Sequence, residues 1–179
     1  MTPTSQLHQT TPELQLQEFF RVSEGEWHSE RRYYTLPDGE TQDIETLIKV
    51  NFLETGHQDL IKLAAKHQLS EAEALLCGTS ISWQSYEAES GRKKSAGSTI
   101  FGVRGEILYR DRGFATPKPV TAQYRMLNPQ TLYLRTEYNG SVFEEELKQI
   151  GYKYRTRCTI ISRAGEQQMI GQYLEKRIL

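Results

Sequence analysis

From residue 79 onward, apolar and polar positions alternate every second residue through one short run after another, and Gly, Pro and Asn punctuate the runs. Period two marks strands with one face buried and the other in water. The pattern predicts strands over 27–36, 42–53, 79–90, 97–103, 106–112, 118–127, 131–138, 141–149, 152–163 and 167–177. The turn signals PDGE, SGRKKSAG, RGE, NPQ, YNG and RAGE link many of them. Helical spacing is confined to the first half. Thr10 or Thr11 can cap a helix with Pro12 in its first turn and Glu13 completing a capping pattern, while Leu14, Leu16, Phe19, Phe20 and Val22 give it an apolar side before Gly25. A second helix is predicted over 57–66, and a third from Ser70 through EAEALL to Cys77. Residues 1–10 lack periodicity and are expected to form a flexible arm.

No helical pattern interrupts the strands after residue 78, and such short connections make successive strands antiparallel neighbours. A meander of this length avoids open edges by closing on itself. The expected fold class is therefore mainly β: a single domain over residues 11–179, an antiparallel up-and-down barrel of about ten strands with an N-terminal helix and short helices near 57–76. A barrel of this size can enclose a small-molecule cavity.

Charge narrows the partners. With 22 basic against 23 acidic residues, no net field favours nucleic acid or an acidic membrane surface. Cys77 and Cys158 have no CxxC spacing, which argues against a zinc cluster or a disulfide framework and fits a reducing compartment; both are expected to be buried small hydrophobes. There is no signal-peptide pattern and no apolar run of 18 residues, so the expectation is a cytoplasmic or stromal protein without a membrane span. GxSxG, HExxH and a phosphate-cradling glycine loop are missing, and His8, His28, His57 and His67 show no metal-ligand spacing.

Strand parity singles out three places. Trp27, Ser29, Arg31 and Tyr33 share one face of their strand, making either an amphipathic strand with a snorkelling arginine or a cavity wall with a cation aimed at an anionic ligand. In VFEEELK, Glu145 lies between Phe143 and Leu147 on one face. If that face is inward, desolvation would raise its pKa and suit it to proton donation or to a ligand N–H; otherwise it sits beside exposed hydrophobes at a sheet edge. In YKYRTRCTII, Arg155, Arg157 and Thr159 stand on one face about 7 Å apart. Two guanidiniums so aligned could each fork onto a carboxylate, yet Tyr152, Tyr154, Cys158 and Ile160 would make the better inward side, so residues alone favour exposed arginines. Ile81 and Trp83 also share a face and are expected inward, as core or as one wall of a ligand slot.

The segments EFFRVSEGEWHSERR, LLCGTSISWQ, AGSTIF, LYLRTEY, FEEEL and RTRCT, in this order and spacing, resemble the S/U-type (CpcS/CpeS-like) phycobiliprotein lyases of cyanobacteria and plastids, from about residue 17 to the end. The resemblance implies a lipocalin- or fatty-acid-binding-protein-like barrel with no permanent cofactor and no metal. It would hold a bilin, phycocyanobilin or phycoerythrobilin, as substrate and deliver it to a cysteine of a phycobiliprotein apo-subunit. It further implies that Arg155, Arg157 and Thr159 face the bilin and its propionates, that Arg31 joins them, that Trp83 and Ile81 wall the cavity, and that Glu145 meets the pyrrole nitrogens in the catalytic role. Tyr34-Thr35 stand where many members have His-His, and Glu89 where many have a second Trp; both departures are expected to touch the pocket. A homodimer and a heterodimer with a sister lyase both stay open, as does the rival of a non-enzymatic carrier of a fatty acid or tetrapyrrole.

Overall fold

The computed structural model describes residues 10–178; the arm expected over 1–10 lies, apart from Thr10, outside the described residues. Among the described residues there are ten strands: β1 (Gly25–Thr35), β2 (Glu40–Leu53), β3 (Cys77–Glu87), β4 (Lys93–Arg104), β5 (Ile107–Arg110), β6 (Val120–Asn128), β7 (Thr131–Tyr138), β8 (Ser141–Ile150), β9 (Tyr154–Arg163) and β10 (Glu166–Ile178). Each pairs antiparallel with its neighbours in sequence, and β1 pairs with β10, so the sheet closes into a barrel with no open edge. Strand β5 stops four residues after it starts because Asp111 turns its carboxylate into the ladder, where Oδ1 accepts from Ile100 N at 2.9 Å and Thr99 Oγ1 at 2.8 Å.

One end of the barrel is plugged by helix α1 (Pro12–Ser23), capped by Thr11, whose side chain accepts from Leu14 N. Its buried Leu16, Phe19 and Phe20 join Cys77, Phe101, Val103, Leu108, Tyr124 and Leu132 in the main core. The last carbonyls of a helix have no partner within it. Here Gln149 Nε2 donates to Phe19 O at 3.1 Å, Trp27 Nε1 to Ser23 O at 3.0 Å, and Arg177 to Val22 O at 2.6 Å and also to Glu24 O. A buried cation at the negative end of α1 also suits the helix dipole.

Helix α2 (Gln58–Lys66) lies outside the barrel, where Leu60, Leu63 and Ala64 pack with Leu53 and Leu75. Gly102 of β4 permits this approach, since a Cβ there would stand 2.6 Å from Leu75 Cδ1. The helix predicted over 70–77 does not form. A single turn, Ala74 N to Glu71 O, suffices to drop Leu75 into this cluster, and Leu76 N is already bonded to Val103 O at the start of the sheet. Too few residues remain for a nucleated helix.

Candidate ligand cavity

The lumen holds a cavity of about 410 Å³, within the usual range for small-molecule sites. Phe19, Phe20 and Ser23 of α1 form its floor. Lys94, Ser95, Arg112 and Phe114 line it at the opposite end, where Lys94 and Ser95 are exposed and mark the mouth.

The two walls differ in chemistry. On one, Ile81 and Trp83 of β3 line the cavity with Phe101 and Leu108. Trp83 stands opposite Gly97 across β3 and β4, and its ring lies against that glycine so closely that a Cβ there would be 2.6 Å from Cζ2. A bare backbone thus sets the indole flat against the wall.

The other wall is cationic. Arg155, Arg157 and Thr159 all face the interior, so the exposed placement favoured by residues alone is corrected; Tyr154 and Cys158 face outward, and Tyr152 lies exposed before the strand. Partners on neighbouring strands decide this. Arg155 stands directly opposite Glu175 and its Nε donates to Glu175 Oε2, while Arg157 Nη2 donates to Glu145 Oε2, reaching diagonally across β8 and β9. Both carboxylates are 1% exposed or less. Burial pushes the pKa of Glu175 up, but Arg155, Arg157 and Arg31 outweigh it and hold the group below its ordinary value, as an anion. Glu175 Oε1 also accepts from Ser29 Oγ at 3.1 Å, and Ser29 Oγ accepts from Arg31 Nε at 3.1 Å, tying Arg31 to the same buried chain. Arg31 stands opposite Tyr173, with its guanidinium carbon 4.7 Å from that ring centre. Burial and then Tyr33 push the Tyr173 phenol up to about 12, which keeps it neutral.

Not every polar atom of the lumen is matched. Arg157 Nε and Thr159 Oγ1 are buried without a hydrogen-bond partner among the described residues, and so are Nε and Nη1 of Arg110, which lines the cavity from β5. Arg110, Tyr173 and Glu175 were not anticipated, although parity in ILYR and in GQYLEKRI puts each on an alternating face.

Other expectations need adjusting. Trp27 is not a cavity wall. It is 2% exposed and held between the guanidiniums of Arg155 and Arg177, whose carbons lie 4.3 and 4.2 Å from its ring centre. Arg32 is exposed and forks onto Asp43 at 2.7 and 2.8 Å. Tyr34, Thr35 and Glu89 do not line the cavity: Tyr34 faces outward and Glu89 sits on the exposed turn between β3 and β4, so neither departure touches the lumen. Cys77 is buried as expected, its thiol pushed up to about 12 by that burial, whereas Cys158 is half-buried on the outer face with its thiol also raised, by burial and then Glu146.

Fold and lumen together define a hollow β-barrel with one apolar and one cationic wall. The chain belongs to the CpeS-like protein family, whose model matches residues 15–178. It is 62% identical over 179 residues to "Putative phycocyanobilin lyase CpcS 2" of Nostoc sp. strain PCC 7120, covering 100% of this chain and 99% of the relative. It is 47% identical over 161 residues to "Putative chromophore lyase CpcV" of Picosynechococcus sp. strain PCC 7002, covering 89% and 80% of the two chains. The S-type phycobiliprotein lyase CpeS from Guillardia theta shares the fold, with a TM-score of 0.77 at 20% identity over 92% of this chain and 93% of that one. No helix among the described residues is long and apolar enough to cross a membrane.

Proposed function

We propose that this protein is a chromophore lyase that holds a linear tetrapyrrole in the barrel and promotes its thioether attachment to a cysteine of a phycobiliprotein subunit. The observation that carries this reading is the charge of the interior: below the mouth, where Lys94 and Arg112 also line the cavity, the guanidiniums of Arg31, Arg110, Arg155 and Arg157 outnumber the two carboxylates of Glu145 and Glu175 by two. A bilin brings two propionates and a flat conjugated body. The propionates neutralise the excess, and the body fits between the cationic wall and the flat indole of Trp83 beside Ile81.

Binding proceeds by partner exchange. Arg157 and Arg155 are held by Glu145 and Glu175 in the free protein, which offsets the cost of burying cations. A propionate arriving at Arg157 and Thr159 satisfies the unmatched Nε and Oγ1 and frees Glu145 to accept from the pyrrole N–H groups. Glu145 is the catalytic group in this scheme because it stabilises the protonated, extended tetrapyrrole to which the acceptor sulfur adds. The new S–C bond forms at the A-ring ethylidene carbon, the exocyclic double bond becomes single, and the thiol proton ends on the ring carbon. The nucleophile belongs to the acceptor, in keeping with the raised thiols of Cys77 and Cys158. The barrel contributes orientation and exclusion of competing nucleophiles. A cytoplasmic or stromal location and a phycobiliprotein apo-subunit as partner belong to the same proposal.

Mixing the protein with phycocyanobilin and an apo-subunit, then denaturing and looking for zinc-enhanced fluorescence on the subunit band, tests it. A covalent band above the rate of the protein-free control supports the lyase. Pigment held by the barrel but never transferred identifies a carrier instead.

A further inference from the structure

Arg110 is a buried cation that the fold does not need. It is 6% exposed, and no side chain among the described residues forms an ion pair with it. Its neighbour Asp111 is engaged by Ile100 N and Thr99 Oγ1. The guanidinium carbon lies 4.7 Å from the Phe101 ring centre and 4.4 Å from that of Phe114. Phe114 is itself fixed, stacked on Phe143 with centroids 4.5 Å apart, while Ala115 N donates to Tyr138 Oη at 2.7 Å. The group is thus held between two aromatic rings at the cavity edge with Nε and Nη1 unmatched. Burial and then Arg157 bring its pKa down to about 10. Arg157 too has an unmatched Nε.

The geometry points to Arg110, held between Phe101 and Phe114 with its charge unpaired, as the seat for one carboxylate of the bound ligand. A neutral carbonyl would accept a hydrogen bond but leave the buried charge of Arg110 unpaired; an anion answers both the open donors and the charge. Of the two propionates, one occupies this seat beneath Phe114, and the other is left to Arg31 and Arg155. This inference rests on the bilin-lyase reading and adds a binding residue to it.

Absorbance titration with phycocyanobilin tests the seat on wild type, Arg110→Met and Arg110→Lys, with thermal melts of the ligand-free proteins alongside. Expected are an affinity lower by about 30- to 100-fold in Arg110→Met, partial recovery in Arg110→Lys, and a ligand-free melting temperature in Arg110→Met equal to or above wild type. Unchanged affinity in Arg110→Met, in a wild type that does bind pigment, overturns the seat and leaves the bilin-lyase reading intact. Failure of Arg110→Met to fold, or a steep fall in its melting temperature, makes the arginine structural and equally overturns it. A wild type that takes up no bilin overturns both.

Discussion

Arg177 and Arg157 share the barrel interior but solve burial in different ways. At the plugged end, all three nitrogen groups of Arg177 donate to backbone carbonyls, of Tyr152, Val22 and Glu24, and the group is packed on Trp27. Among the described residues Arg157, higher in the lumen, has one hydrogen-bond partner, Glu145, and an open Nε, and Arg110 leaves Nε and Nη1 open. A buried guanidinium with each of its nitrogens answered is a fastener. One with donors left open beside a cavity is set for a ligand, and the gradient from floor to mouth separates the two kinds within a single fold.

Removing the fastener should have the largest effect on the fold. Arg177→Met leaves three carbonyls without their donor and should cost about 3 kcal/mol, lowering the melting temperature by about 6–12 °C, while bilin affinity of the folded protein stays within about threefold. A large affinity loss with little loss of stability would reverse the assignment. Arg157→Leu should also cost about 3 kcal/mol because it strands Glu145 in the interior, and adding Glu145→Leu should restore most of that. Denaturant melts of the double-mutant cycle check this, and neither variant should take up bilin. Replacing Arg155 and Arg157 together by Leu should abolish uptake, read by titration; a double variant that colours with wild-type affinity refutes their role.

Smaller effects sharpen the picture. The Glu175 carboxyl is held below its usual value of 4.5, so its contribution to stability is fully present above that value and is lost as pH falls through the lower folded value. The ligand-free melting temperature should therefore drop in acid below about pH 4.5, and Glu175→Gln should lower stability at pH 7 by about 2 kcal/mol while flattening that acid limb. Smallest is Gly97→Ala. The added methyl displaces the Trp83 ring into the lumen, so bilin affinity should fall about tenfold, with about 1 kcal/mol lost from the fold.

Much of this was legible in the order of residues. Period-two alternation places all ten strands, and the parity that pairs Glu145 with Phe143 and Leu147 identifies a face that is indeed inward. Parity alone says which residues share a face and not which face is inside. For Arg155 and Arg157 the answer depends on Glu175 and Glu145, residues 20 and 12 positions away that become neighbours only once strand register is set. Arg110 lay hidden for another reason: a four-residue strand gives too little alternation to weigh. The segment over 70–77 misled because its helix-forming composition lost to the demand that Leu75 reach the α2 cluster.

The central claim is that guanidiniums turned into the lumen recognise the carboxylates of a bilin. Titrating the wild-type protein with phycocyanobilin and with its dimethyl ester, which keeps the chromophore and removes both charges, addresses it directly. The ester should bind about 100-fold or more weaker; equal affinity for the two pigments would rule out recognition through the carboxylates.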